Sequence, residues 1–287
     1  MAEIQTQDEI LIPERRIILH KGREFECLET NGQYHALMGL KAHGYSPVFM
    51  PQLIDARIEA PKDSRLWRFG YTTPSMIITG RIENEPMVIF DHRPDNYFSA
   101  PENLKKSLDL GLYNRAGIVP QPEFQRAVNH DQVTDDRGNR LVWVLKGKNY
   151  KKFRDSTSDI ISVERALEHP QTIPFIGGEE RAKRYLERHK EVYGNDIGVW
   201  HSDDLRDEPM GRLLYLGDGD DGSLGGDGGL VDDARFVGVR DGAQKILEPS
   251  LETKLEDVAE NLSKLHPEFV REAWKNAYIE QLKEGLK

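Results

Sequence analysis

Apolar residues along this chain recur at helical spacing in some stretches and cluster as short β-prone runs in others. Ser75–Ile82 and Met87–Asp91 are rich in Ile, Val and Met, and the polar Glu83-Asn84-Glu85-Pro86 separates them. Two such runs around a short polar turn predict a hairpin. Arg15–His20, Glu24–Leu28, Trp67–Thr72, Arg140–Leu145, Ile197–Trp200, Arg212–Leu216 and Arg235–Val239 read as further strands. Val48–Met50 and Leu53–Ile58 read as extended segments between prolines.

Helical spacing marks other segments. Glu179–Tyr193 places Ala182, Tyr185, Leu186 and Val192 on one face, and Gly194 ends it. Gln33–His43 carries Leu37, Met38 and Leu40 and stops at Gly44. Ser99-Ala100-Pro101-Glu102 has the form of a capping box and predicts a helix from Ala100 to Leu110, stopped at Gly111. Pro122–Asn129 and Ser162–Glu168 are shorter helices. In the tail, Thr253 and Glu256 form a second capping pattern, and Pro267 starts a last helix with Val270, Ala273, Trp274, Ala277 and Tyr278 as its apolar stripe.

Strands and helices mix without regular βαβ alternation, and no repeat is present. The expected fold is therefore α+β, a mixed and largely antiparallel sheet with flanking helices and a C-terminal helical pair. Residues 1–13 read as a mobile N-terminus and 14–248 as the α+β domain. Residues 249–287 read as a helical segment packed on that domain or on a partner subunit.

Charge narrows the function classes. The formal net charge is −10 and charged residues make up 31% of the chain. Nonspecific attraction to nucleic acid or to an anionic membrane is disfavoured. The one cysteine, Cys27, excludes an intrachain disulfide. The first residues lack a basic stretch followed by an apolar run, and no apolar run approaches the roughly 20 residues of a membrane span. A cytoplasmic location is the expectation.

Candidate chemistry lies at strand ends and in loops. Nine aspartates and one glutamate fall between Asp203 and Asp233, and seven of the thirteen residues from Gly217 to Gly229 are glycine. Gly217-Asp218-Gly219-Asp220-Asp221-Gly222 has the spacing of a dinucleotide fingerprint, but its aspartates would face the pyrophosphate, so no nucleotide cofactor is expected. The spacing also fails for an EF-hand, and a solvated surface loop is the reading that remains.

Asp91-His92 and His201-Ser202-Asp203-Asp204 each put a histidine and carboxylates where a strand ends. Carboxylate and imidazole suit Mg²⁺, Mn²⁺ or Zn²⁺. If the two ends meet, Asp91, His92, His201, Asp203 and Asp204 form a metal site able to activate water. Five cations fall within the nine residues 146–154, and Lys148, Lys151, Lys152 and Arg154 would neutralise a phosphate, with Tyr150 or Phe153 free to stack on a base.

The leading expectation is a metal-dependent hydrolase acting on a small phosphorylated substrate. The alternative is a non-catalytic binding or assembly protein, using the acidic Gly/Asp-rich loop or oligomerising through its C-terminal helices. A third reading is a nucleic-acid-processing protein working through the 146–154 patch.

Overall fold

The structure is a computed structural model that describes residues 16–239 except 21, 22, 31, 43, 203, 204, 218–221 and 233, with the backbone alone for 16–30. In chain order, β1 (Arg16–His20) and β2 (Arg23–Thr30) come first. Helix α1 (Gln33–Ala42), β3 (Ser46–Pro47), α2 (Met50–Glu59) and the short α3 (Arg65–Arg68) lead to the hairpin of β4 (Tyr71–Ile82) and β5 (Glu85–Asp91). A 3-10 turn at Tyr97–Ser99 and α4 (Pro101–Leu110) precede a small hairpin, β6 (Leu112–Tyr113) and β7 (Ala116–Ile118). Next are α5 (Gln121–Asn129), β8 (Val142–Lys146), α6 (Lys148–Arg154), β9 (Asp159–Ser162), α7 (Val163–Glu168), α8 (Thr172–Ile176) and α9 (Glu179–Tyr193). Strands β10 (Asp196–His201), β11 (Met210–Leu216), β12 (Leu224–Gly226) and β13 (Ala234–Val239) close the described chain.

The expected α+β architecture is observed: a mixed, mainly antiparallel sheet with helices on both faces. Its main path runs β1-β2-β13-β4-β11-β12-β10-β9, and β5 and β8 extend from β4. Among the described residues, parallel pairing is confined to β10 with β12 and β13 with β4. The C-terminal helical pair and the N-terminal 1–13 segment lie outside the described residues.

Strand β4 is the centre. Its residues from Tyr71 to Gly80 are buried without a break. Side chains alternate between faces, so Ile77 joins one core while Met76 and Ile78 join the other. Val88 and Phe90 on β5 follow Ile77, and Met87 and Ile89 follow Met76. The first core lies under α2, α3 and α6–α9, around Trp67, Phe153, Phe175 and Tyr185. The second lies under α1, α4 and α5, around Leu37, Phe98, Leu104 and Phe124. A strand covered on both faces reads as a continuous apolar run, which is the pattern that marked this hairpin.

The hairpin turn is tighter than the four polar residues suggest. Glu83 (φ 49°) and Asn84 (φ 68°) alone form it, both in the left-handed region demanded by a two-residue turn of type I′. Ile82 pairs with Glu85 beside the turn, and Arg81 faces Pro86. That pair is the non-hydrogen-bonded one, so the missing amide of Pro86 costs no rung with β4. The Arg81 carbonyl accepts instead from Gln121 Nε2, at 3.1 Å.

Three local expectations fail for physical reasons. Leu53–Ile58 is the middle of α2 and not an extended segment. Pro51 stands in its first turn, where a missing amide costs little. The Phe49 amide donates to Gln52 Oε1 at 3.0 Å, and Leu53, Ile54 and Arg57 face inward. Trp67 falls in α3, capped by Ser64 Oγ accepting from the Leu66 amide at 3.2 Å, and the strand begins only at Tyr71. Ser99 does not cap α4: its hydroxyl donates to the Asn96 carbonyl at 2.7 Å, and Ala100 is the capping position.

The Gly/Asp-rich segment differs most from expectation. Ser223 to Gly226 are buried, and Leu224–Gly226 form β12, inserted between β10 and β11. Glycine is needed because the Tyr215 ring lies across this backbone: a Cβ on Gly225 would overlap the ring, and one on Gly228 would stand 3.0 Å from it.

On its far edge, β11 is held by β7 at Met210 and Gly211 and by β12 at Tyr215 and Leu216. The sheet forks between them. Arg212, 5% exposed, fills the fork: Nη1 donates to the carbonyls of Asp227 (2.9 Å) and Gly228 (3.1 Å), and Nη2 to that of Asn114.

At the opposite boundary, β9 pairs, among the described residues, with β10 alone. The Ile160 amide on its open side donates to the Asp159 carboxylate at 2.7 Å.

Gly225→Ala is expected to destabilise the fold by about 2 kcal/mol through overpacking against Tyr215. Arg212→Ala is expected to cost about 3 kcal/mol, because three carbonyls lose their donor, and Arg212→Lys recovers only part of that. Urea unfolding midpoints measure both. A midpoint unchanged in Arg212→Ala would show that the fork holds without its guanidinium.

Candidate functional site

The described residues among those expected to hold a metal, Asp91, His92 and His201, are committed to other work. Asp91, at the end of β5, is 1% exposed, and Arg93 grips its carboxylate. Arg93 Nη2 lies 2.6 Å from Oδ2, Nε lies 3.0 Å from Oδ1, and the Arg93 amide donates to Oδ1 at 3.0 Å. A carboxylate bonded this way is satisfied within the fold. His92 is also buried, and its Nε2 donates to the Pro174 carbonyl in α8 at 2.8 Å. Burial pulls its pKa from 6.5 down to about 4.

His201 ends β10, its ring 4.5 Å from Phe153 and 5.9 Å from His169. Ser156 Oγ donates to the Phe153 carbonyl at 2.6 Å, so at 3.1 Å from His201 Nε2 it acts as acceptor and the ring proton sits on Nε2. Ser158 Oγ accepts from the His201 amide and donates to its carbonyl, both at 3.0 Å. The Ser156-Thr157-Ser158 triplet thus ties down a strand end. His92 reaches α8 at Pro174, whereas His201 lies beside His169, ahead of that helix. Asp203 and Asp204 lie outside the described residues. Among the described residues, no three His, Cys, Asp or Glu side chains are grouped to hold a metal ion.

The basic cluster forms α6. Lys148, Lys151, Lys152 and Arg154 are exposed, and Arg154 pairs with Asp155 at 2.7 Å. Tyr150 and Phe153 point into the core, at 6% and 0% exposure, so neither is free to stack on a base.

A different group of residues converges around the Arg212 fork. The turn between β6 and β7 is Asn114 (φ 46°) and Arg115 (φ 68°), a second two-residue turn with left-handed backbone. Its tip docks on the segment after β12. The Leu230 amide donates to the Arg115 carbonyl at 3.0 Å, and the Arg115 guanidinium pairs with Asp232. Tyr215 OH donates to Asp227 Oδ1 at 2.9 Å, and the Gly229 amide donates to Asp232 Oδ2 at 2.7 Å. Gln33 Nε2, from α1, donates to the Gly229 carbonyl at 2.9 Å. The chain entering β11 joins the group: the Val119 amide donates to the Pro209 carbonyl at 2.8 Å, and the Arg206 guanidinium stacks 3.2 Å from the Tyr113 ring centre.

The backbone of this region is therefore fixed from beneath while its outer side chains face solvent. Leu110 (66% exposed), Tyr113 (41%) and Val231 (55%) belong to it, three of six large hydrophobic residues exposed among the described ones. Arg206 stacks on Tyr113, and Arg115 pairs with Asp232, next to Val231. These groups offer apolar contact, ring stacking and charge, and no nucleophile is paired with a base. Sequence reasoning missed this patch. Its one local signal was Leu110-Gly111-Leu112-Tyr113-Asn114-Arg115, apolar side chains in a stretch built for turning.

His169 gives a pH dependence. Burial, and next the neighbouring His201, pull its pKa from 6.5 to about 4, and its Nδ1 accepts from the Gln171 amide at 3.3 Å. The folded pKa lies below the unfolded one, so the unfolded chain binds the proton first as pH falls. Stability is fully present above pH 6.5, declines as pH drops toward 4 and levels off below, with His92 contributing in the same window. Urea midpoints measured from pH 7.5 to 4 should fall accordingly, and His169→Gln should flatten part of that slope. A slope identical in the variant would remove His169 from the account.

No family model and no curated protein matches this chain. A solved structure does, described as the accommodation of massive sequence variation in Nanoarchaeota by the C-type lectin fold. It is 45% identical, spans 81% of this chain and all of its own, and superimposes with a TM-score of 0.67. This overturns the expected metal-dependent hydrolase and its phosphorylated substrate, because the matched fold is a non-catalytic binding module and the described residues hold no metal-ligand group. The cytoplasmic expectation fails too, since the C-type lectin domain is typically an extracellular or secreted module. No helix among the described residues is long and apolar enough to cross a membrane. At this identity and coverage, the chain belongs to the family of C-type lectin fold proteins.

Proposed function

We propose that this protein is a non-catalytic binding module that holds a partner protein against the patch around Arg212. The observation that carries this reading is that Leu110, Tyr113 and Val231 are exposed, that Arg206 stacks on Tyr113, and that the Arg115 turn docks on the segment holding Val231 through Leu230 and Asp232. Interface cores favour tyrosine and arginine, and a rigid aromatic anchor loses little entropy on binding. Buried groups such as Arg212 and Gly225 set the backbone, while the outer side chains make few contacts that the fold needs. That division suits the relative's description as a fold accommodating massive sequence variation.

The test separates frame from surface. Replacing Leu110, Tyr113, Arg206 and Val231 together by serine should shift the melting temperature by no more than about 3 °C. A photo-crosslinking residue at position 113 should give a discrete protein adduct in an extract of the source cells, and the serine replacements at the other three positions should abolish it. The same residue at Lys105, exposed on α4, should give none. Equal adduct yield at both positions, or unfolding of the serine variant, would overturn the reading.

A further inference from the structure

Among the described residues, strand β8 pairs with β5 alone, so its other edge carries no strand. The β4–β5 turn decides which backbone groups that edge presents. Glu85 bonds to Ile82 across the two-residue turn, so Glu85, Met87, Ile89 and Asp91 turn their backbone groups to β4. Val88 and Phe90 turn theirs to β8, where they meet Leu145 and Trp143. Val142, Val144 and Lys146 therefore point their amides and carbonyls outward.

The first part of this edge is closed from within. The Val142 carbonyl accepts from Arg140 Nε at 2.7 Å and from the Gln132 amide at 3.3 Å. The Val144 amide donates to Asp131 Oδ1 at 3.2 Å, and Arg140 holds that carboxylate. There the cover ends. The Val144 carbonyl and the Lys146 amide have no partner among the described residues. A carbonyl and an amide on either side of one residue are the two groups that a single residue of a parallel strand bonds. An antiparallel rung at Val144 would need the amide that Asp131 already holds.

Charge selects the strand that fits. Lys146 carries the open amide, Lys148 stands two residues on, and Lys151 and Lys152 complete one face of α6, which packs beside β8 and β5. All four are exposed, and none has an acidic partner among the described residues. Other exposed lysines do find carboxylates: Lys62 with Glu191 at 3.4 Å, Lys105 with Asp109 at 3.1 Å and Lys190 with Glu164 at 2.7 Å. Tyr150 and Phe153 are buried, so the face has no platform for a nucleic-acid base. A second copy laid against the same edge would set lysines against lysines. We infer that the outer edge of β8 receives an extended, carboxylate-rich segment of a partner protein. The segment adds as a parallel strand past Asp131, and its acidic side chains meet the lysines. This contact uses none of the residues of the patch around Arg212.

Fluorescence anisotropy of a labelled peptide of alternating glutamate and valine, titrated with the full chain, tests it. Binding is expected at 50 mM NaCl and should weaken about tenfold by 500 mM. The same peptide with lysine for glutamate should not bind. A version N-methylated at every residue keeps the charge but loses every amide donor, and it should not bind either. Lys148→Glu/Lys151→Glu/Lys152→Glu should weaken binding by about tenfold or more. Lys146→Pro removes the outward amide without removing a bond to β5, so it should weaken binding more than Lys146→Gln, which removes the charge alone. Circular dichroism confirms that the variants are folded, and the N-methylated peptide tests strand pairing on the unaltered protein. No binding of the acidic peptide at low salt, or equal binding of its N-methylated form, would overturn the inference. So would equal binding of an oligothymidylate, which would reduce the face to a patch of charge.

Discussion

The guanidinium of Arg212 lies where β11 has run out of strand partners on one edge. A backbone carbonyl left without a donor away from water costs about 1–3 kcal/mol, and three part-buried ones point into this gap. One planar group with diverging N–H bonds answers all three. Because those carbonyls belong to Asn114, Asp227 and Gly228, the same group fixes the β6–β7 turn and the exit of β12. The positions of Tyr113, Arg115 and Val231 follow from it. A lysine has the charge but not the geometry, and a carboxylate in the gap would have repelled the oxygens it faced.

The sheet was legible wherever burial imposed a period. The hairpin of β4 and β5 and the helix Glu179–Tyr193 were read closely because an apolar run and a helical stripe each have one simple meaning. Helix α2 was hidden by Pro51, because a proline breaks a helix in its middle but sits without harm in its first turn. Strand β12 was hidden more deeply. Leu224-Gly225-Gly226 has almost no side chains of its own, because the space above it is taken by Tyr215, ten residues earlier. A strand whose packing surface is supplied by another strand leaves no periodicity to read.

The site was the least legible part. Histidine and aspartate at strand ends carry metal chemistry in many proteins, and sequence alone does not distinguish that role from a structural one. Here Asp91 is answered by Arg93 two residues later, and His92 by a carbonyl 82 residues away. The first partnership was visible in the sequence, and it was the sign that the carboxylate was already satisfied. The exposed patch has the opposite difficulty. Leu110, Tyr113, Arg206 and Val231 are ordinary residues, and only the fork brings them together.

Ile160, half exposed on the last strand of the sheet, has a backbone amide turned away from β10. An open amide beside an exposed isoleucine is a template on which another chain could add a strand, and then another. The carboxylate of Asp159 closes that template by accepting the hydrogen bond itself and by placing a charge where the next strand would lie. At this end of the described sheet, one side chain takes up the amide that a further strand would use.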